Sequence, residues 1–148
     1  MDLNALRPQL EELFKSRPVR LAYLFGSQAV GRVHSESDVD VAVLFDESLS
    51  PDARFDERLA LTGELSRLLK TDRVDLAVLN EAPPLLAFEV LRNGRLLYCA
   101  SEDDRVEFQV KTVREYEDTA PLRKLLAEAM EERVRAGAFG RRVLGEKK

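Results

Sequence analysis

Cysteine is almost absent from this sequence, which has a single one, Cys99, in 148 residues. A single cysteine excludes an internal disulfide and a cysteine-rich zinc site, which is typical of proteins in a reducing compartment. The N-terminus also lacks the basic start and apolar stretch of a secretory signal, and no apolar run reaches the length of a membrane span. We therefore expect a soluble, cytoplasmic protein that does not contact a membrane.

An excess of basic charge is lacking as well. The formal net charge is −4 and the pI is about 5.2, so no global positive field would draw the chain onto nucleic acid or acidic lipid. We expect no direct nucleic-acid binding, and any phosphate chemistry must be local. With 148 residues and 45% apolar content, the chain is long enough for one compact domain and short for two.

Apolar periodicity predicts a mixture of helices and strands over the first hundred residues. Spacings of three and four predict helices over residues 3–16 and about 51–70, the second carried by Phe55, Leu59, Leu65, Leu68 and Leu69. In the first helix, Pro8 is compatible only with a place in the first turn. Short β-prone runs predict two central strands at Val19–Phe25 and Val39–Phe45 and a third strand at 73–80. "PPLLAFEVLRNG" then predicts a short helix, and "RLLYC" a fourth strand.

The last third of the chain is charged and helix-prone. Residues 101–137 predict two helices that break near Pro121 and pack on the same domain. Residues 138–148 form a basic tail, which is either a solvated chain end or a contact for phosphate or a partner. The sequence thus indicates one domain over 1–148, with its core over about 1–100.

Two aspartates, Asp38 and Asp40, stand one residue apart at the start of the second strand. Side chains alternate across a strand, so both carboxylates point to the same face. Two unit charges about 4 Å apart cost roughly 4 kcal/mol at an effective dielectric of about 20, unless a cation lies between them. Magnesium suits such a pair because it takes oxygen ligands and bridges carboxylates to phosphate oxygens. Asp75 occupies a matching place on the third strand and would complete a cluster if the strands are neighbours.

Gly26 and Ser27 follow the first strand and supply a complementary element. A strand that enters a helical turn through glycine leaves backbone N–H groups pointing at an open site, which suits a phosphate, and the Ser27 hydroxyl adds a donor. Each part alone is common, because a lone D-x-D on a strand is more often an exposed face or a strand-end cap. A phosphate cradle that faces an acid cluster indicates phosphoryl or nucleotidyl transfer.

The run from Gly26 to Asp40 resembles the G-S-x10-D-x-D signature of the minimal nucleotidyltransferases, small members of the DNA polymerase β-like superfamily. Gly31 and Ser37, within the intervening loop, also fit the family pattern. The resemblance implies an α+β fold like the polymerase β palm, with a mixed sheet flanked by helices. The helical C-terminal part is similar to that of the antitoxin branch, whose partner is a small helical toxin of the HEPN ribonuclease type.

The resemblance also implies the reaction and the residues that perform it. The reaction would be Mg²⁺-dependent transfer of AMP from ATP to a hydroxyl of the toxin, with release of pyrophosphate. The implied catalytic residues, which are also ligands of two Mg²⁺ ions, are Asp38, Asp40 and Asp75. The implied nucleotide-binding residues are Gly26, Ser27, Gly31 and Ser37. Gln28 and Val30 stand where family members often have arginines, so Arg32 is the nearest basic residue to the triphosphate.

Two alternatives remain open at this stage. The protein could be an antitoxin that acts mainly by binding its toxin, with little catalysis, which the long helical C-terminus and the basic tail would serve. It could also transfer a nucleotide to a small molecule such as an aminoglycoside. A discrete acceptor pocket would favour the small molecule, and an open cleft would favour a protein acceptor.

Overall fold

A computed structural model of the protein describes residues 3–26 and 39–137. The elements in chain order are helix α1 (Leu3–Lys15), strands β1 (Val19–Phe25) and β2 (Val39–Phe45), helix α2 (Pro51–Leu69), strand β3 (Val74–Val78), a 3-10 turn (Leu79–Glu81), helix α3 (Pro84–Asn93), strand β4 (Arg95–Cys99), and helices α4 (Glu102–Asp118) and α5 (Ala120–Arg135). Two compact units, residues 1–113 and 114–148, make up the chain. A single domain over 1–148 therefore stays a prediction.

The four strands form one mixed sheet in the order β3–β2–β1–β4. β1 pairs antiparallel with both β2 and β4, whereas β2 pairs parallel with β3. The two long apolar strands are therefore central, as predicted, because a strand covered on both faces reads as a nearly continuous apolar run. The mixed sheet with its helices confirms the predicted α+β fold.

Helices cover both faces of this sheet. On one face, Phe14 of α1 and Leu65 of α2 pack with Val43 of β2 in a fully buried cluster. On the other face, α3 and α4 pack over β1, where the rings of Tyr23 and Phe108 lie 6.0 Å apart. Burial of these side chains holds the central strands rigid, which is what a site at the end of the strands requires.

Two details of the helices differ from the sequence predictions. Pro8 lies in the second turn of α1, because the helix already begins at Leu3. The prediction that Pro8 is compatible only with the first turn was therefore wrong. Proline there donates no backbone hydrogen bond, but Leu10 and Phe14 are buried and hold the helix. The third strand is shorter than predicted, since the chain turns into the 3-10 segment after Val78.

A polar corner joins the last turn of α4 to α5. The guanidinium of Arg123 lies 3.8 Å from the ring centroid of Tyr116, its Nε donates to Oγ1 of Thr119 at 2.9 Å, and its Nη2 donates to the carbonyl of Tyr116 at 3.0 Å. α5 therefore begins at a fixed break beside Pro121, as predicted.

All 16 residues of α5 are described and none is buried. Its exposed large apolar residues are Leu122, Leu125, Leu126, Met130 and Val134.

No helix within 3–26 and 39–137 combines the length and the apolar character that crossing a bilayer requires.

Candidate active site

The end of β1 places Gly26 against the carboxylate of Asp40. Gly26 follows Phe25, which is the register partner of Asp40 in the β1–β2 pair. Its φ of +77° lies in the left-handed region that glycine adopts without steric cost. A Cβ at this position would overlap Oδ2 of Asp40 and lie 3.2 Å from its Cγ. Glycine is therefore required both for the turn after β1 and for the space that the carboxylate occupies.

The parallel pairing of β2 and β3 brings Asp40 next to Asp75. The two residues are register partners, so their side chains lie on the same face of adjacent strands, with backbones about 4.8 Å apart. The backbone N–H of Val39 donates to the carbonyl of Arg73 at 2.7 Å, which carries this register to the start of both strands. Asp40 is half-buried, whereas Asp75 is exposed.

The pair of carboxylates fits a divalent cation by the chemistry of its donors. Both groups offer oxygen ligands, they share one face, and their charges repel unless a cation lies between them. Within the ranges that the structure describes, no group of three histidine, cysteine, aspartate or glutamate side chains could hold a metal. The predicted third ligand, Asp38, lies outside those ranges.

The remaining predicted nucleotide-binding residues also fall outside the described part of the chain. These residues are Ser27, Gly31 and Ser37. Their roles stay predictions, as do those of Gln28, Val30 and Arg32 in the same loop and of the basic tail over 138–148. Of the seven predicted site residues, the structure thus places Gly26, Asp40 and Asp75, and it brings these three together.

A groove of about 420 Å³ lies beside β3. Its lining is Pro51, Phe55, Arg58, Leu76, Ala77, Val78, Glu81, Ala82, Pro83 and Leu86. The charged groups there have partners: Nε of Arg58 donates to the carbonyl of Leu76 at 2.9 Å, and Glu81 pairs with Nε of Arg54 at 3.0 Å. Eight of the ten lining residues are apolar, and we call this feature the β3 groove.

Sequence reasoning missed this groove because it treated every apolar residue of α2 alike. The buried stripe of α2 consists of Leu61, Leu65 and Leu69, at spacings of four. At 100° per residue, Leu59 lies roughly 120° from Leu65 around the helix. Phe55 and Leu59 are in fact each 56% exposed. The spacing of the stripe was an available signal that Leu59 points elsewhere, but it did not mark Phe55, which lies roughly 40° from Leu69.

A charged cluster lies away from these acids and ties α4 to the sheet. Arg20 of β1 forms ion pairs with Asp104 of α4 and with Asp46, which follows β2. Asp104 is only 8% exposed, and Nε of Arg20 is buried with no hydrogen-bond partner among the described residues. The hydrogen bond that Arg20 donates to the Asp104 carboxylate raises the pKa of Arg20. The backbone N–H of Ser48 donates to Asp46 at 2.9 Å and, with Arg20, lowers the pKa of that carboxyl.

Comparison with known proteins adds independent evidence. The family model described as polymerase beta nucleotidyltransferase matches residues 8–103. Protein adenylyltransferase MntA of Shewanella oneidensis is 37% identical over 99 residues, which is 67% of this chain and 67% of that protein.

Two solved structures are similar over most of the chain. A toxin-antitoxin complex with AMP-PNP has a chain that is 31% identical with a TM-score of 0.68, over 84% of this chain and 98% of that chain. A complex of tri-AMPylated Shewanella oneidensis HEPN toxin with MNT antitoxin gives 29% identity and a TM-score of 0.63, over 87% of this chain and 99% of that chain. The family match, the mixed sheet and the acids beside Gly26 agree. This chain belongs to the polymerase beta nucleotidyltransferase family.

Proposed function

We propose that the protein transfers AMP from ATP to a hydroxyl of a HEPN-type toxin and so acts as its antitoxin in the cytoplasm. The observation that carries the proposal is the side-by-side placement of Asp40 and Asp75, with Gly26 against Asp40. The names of similar proteins support it, since one is a protein adenylyltransferase and another was solved with an AMPylated toxin.

Three acids would hold Mg²⁺ in this proposal, namely Asp38, Asp40 and Asp75. When bound, two Mg²⁺ ions neutralise the charge of the triphosphate and align the attacking oxygen with the α-phosphorus for in-line displacement. Asp40 is fixed by its half-buried place on a central strand and by the room that Gly26 leaves. Asp75 is exposed on the outer strand and would bind the metal on the side of the acceptor.

The other predicted residues would bind the nucleotide. Gly26 and Ser27 would hold the outer phosphates through backbone N–H groups and the hydroxyl, and Gly31 and Ser37 would line the same loop. In the reaction, the acceptor hydroxyl oxygen forms a bond to the α-phosphorus while the bond from that phosphorus to the bridging oxygen breaks. Pyrophosphate leaves with the bonding electrons, and the hydroxyl proton passes to the Asp75 carboxylate and on to solvent.

The chemistry of the β3 groove favours a protein acceptor over an aminoglycoside. An aminoglycoside is a polycation and needs unpaired carboxylates around it. Within the described lining the one acid, Glu81, is already paired with Arg54, and most other lining residues are apolar. Such a surface suits an apolar part of a polypeptide.

Label transfer tests the proposal. The purified protein is incubated with Mg²⁺, ATP labelled on the α-phosphate, and the HEPN-type toxin encoded by the neighbouring gene. We expect label on the toxin from the wild-type protein, and at least a hundredfold less from Asp40→Asn. The exposed acid Asp103 on α4 supplies the control, and Asp103→Asn should label at the wild-type rate. Normal labelling by Asp40→Asn would reject the assignment.

A second candidate function is neutralisation by binding alone, which the exposed apolar residues of α5 favour. A toxin-dependent growth assay separates the two functions. If Asp40→Asn folds, binds the toxin and still protects cells, binding is sufficient; if protection disappears while binding persists, AMP transfer is the neutralising step.

A further inference from the structure

The β3 groove has a chemistry and a position that the transfer reaction itself does not explain. We propose that it binds a large apolar side chain of the toxin segment that carries the modified hydroxyl. This inference rests on the proposed function and adds the surface by which the enzyme recognises its acceptor.

The order of the strands places donor and acceptor on opposite sides of Asp75. Gly26, at the end of β1, and Asp40, on β2, lie on the side where the triphosphate would bind. β3 carries Asp75 and is the outermost strand at that edge of the described sheet. The β3 groove lies along this strand, so a polypeptide in it reaches Asp75 from the side opposite the nucleotide.

The groove begins one residue after Asp75. Leu76, Ala77 and Val78 form part of its lining, and consecutive Cα atoms are about 3.8 Å apart. Side chains alternate across a strand, so the lining residue on the same face as the Asp75 carboxylate is Ala77, two residues further along β3. A segment that packs against Ala77 therefore carries its neighbouring residues past the Asp75 carboxylate. An acceptor hydroxyl one or two residues from the anchoring side chain would lie within reach of the acid pair.

The lining defines the chemistry of the bound side chain. Glu81 is paired with Arg54, whereas Arg58 donates to the neutral carbonyl of Leu76 and keeps its positive charge. Phe55 supplies a large apolar surface that is 56% exposed, and burial of such surface contributes roughly 25 cal/mol per Å². These features select an aromatic or aliphatic side chain.

A matched pair of variants on α2 tests the inference. Phe55 lines the groove, whereas Leu59, one turn further and equally exposed at 56%, does not. Phe55→Glu and Leu59→Glu are compared for AMP transfer at increasing toxin concentration, and for toxin binding without ATP. We expect Phe55→Glu to raise the KM for the toxin and the Kd at least tenfold with kcat at saturating toxin unchanged. Leu59→Glu should stay within twofold of wild type.

The two measurements separate the groove from the reaction. If the wild-type protein binds the toxin but never labels it, the proposed function fails. The comparison of toxin Kd between Phe55→Glu and Leu59→Glu still shows whether the groove binds the toxin. Equal weakening of toxin binding by both variants would indicate that the toxin contacts a general apolar face of α2, and would contradict binding in the groove. Wild-type binding by Phe55→Glu would overturn it too.

Photo-cross-linking gives a readout that does not depend on the folding of a charged variant. Benzoylphenylalanine at position 55 keeps an aromatic side chain in the groove. The expected product joins position 55 to the toxin peptide that contains the AMP-modified hydroxyl. Cross-linking to a distant toxin peptide, or to a second copy of this chain, would contradict the proposal.

Discussion

Gly26 and Asp40 lie so close that a side chain on the glycine would occupy the position of the aspartate carboxylate. We predict that Gly26→Ala lowers the free energy of unfolding by about 1–3 kcal/mol, since the +77° φ is strained for alanine. Transfer of AMP should fall at least tenfold, because a displacement near 1 Å costs roughly 10²-fold in rate. Urea unfolding and label transfer measure the two effects.

The control for this substitution is Gly63→Ala in α2. There the nearest atom to an added Cβ is Nη1 of Arg67, at 3.9 Å. Alanine should raise the free energy of unfolding by about 0.5–1 kcal/mol, because glycine inside a helix costs entropy. Equal effects at Gly26 and Gly63 would show that the close approach to Asp40 has no consequence.

Asp75→Asn should separate stability from cation binding. Without divalent cation, the variant should be as stable as wild type or up to about 1 kcal/mol more stable, because like charges at paired positions repel. Adding Mg²⁺ should raise the Tm of the wild-type protein, since a ligand at 100 times its Kd stabilises by about 2.7 kcal/mol. The variant should gain much less. An equal Mg²⁺-induced shift in both proteins, measured by thermal unfolding, would exclude Asp75 as a ligand.

Arg20→Met should destabilise the fold although Arg20 is remote from the acids. The substitution leaves the carboxylate of Asp104, a residue that is 8% exposed, without its cation. Arg20 is itself partly exposed, so the loss should be about 1–3 kcal/mol, below that of a fully buried pair. Arg135→Met breaks an ion pair whose side chains are 68% and 70% exposed, and should change the free energy of unfolding by less than about 0.5 kcal/mol. Denaturant unfolding compares them.

Asp46 should make the stability depend on pH in the acid range. Its pKa in the folded protein lies below the ordinary value of 3.8, first because the Ser48 backbone N–H donates to it and also because Arg20 is near. A depressed pKa means that its contribution is complete well above 3.8 and is lost as the pH falls through the folded value. Asp46→Asn should therefore be less stable than wild type at pH 7, and the difference should shrink as the pH falls below 3.8. A difference that persists unchanged at low pH would contradict this.

Much of the sheet could be predicted because local patterns determine it. The runs at Val19–Phe25 and Val39–Phe45 are apolar except for Arg20 and Asp40, as expected of strands covered on both faces, and the structure has the same bounds. The sequence predicted that Asp75 lies beside Asp40 only if β2 and β3 are neighbours. Register is a property of two strands, and neither run specifies its partner alone. The parallel β2–β3 ladder supplies the missing relation.

Features that join distant segments could not be predicted from local patterns. Arg20 and Asp104 are 84 positions apart and carry no motif. The apolar pattern around Phe55 correctly predicted helix α2, but it does not show which positions of the helix the sheet covers. The β3 groove arises from α2, β3, the 3-10 turn with the residues after it, and the start of α3, and only their packing creates it.

The parallel pairing of β2 with β3 also determines when during folding the acids meet. β1 and β2 are consecutive antiparallel strands, but β2 reaches β3 only across the 19 residues of α2. Contacts across such a crossover form later than local ones, because the loop entropy must be overcome first. A chain still emerging from the ribosome can thus pair β1 with β2 before Asp75 reaches Asp40. If Asp75 binds the cation as proposed, the site is complete only once β3 has joined the sheet.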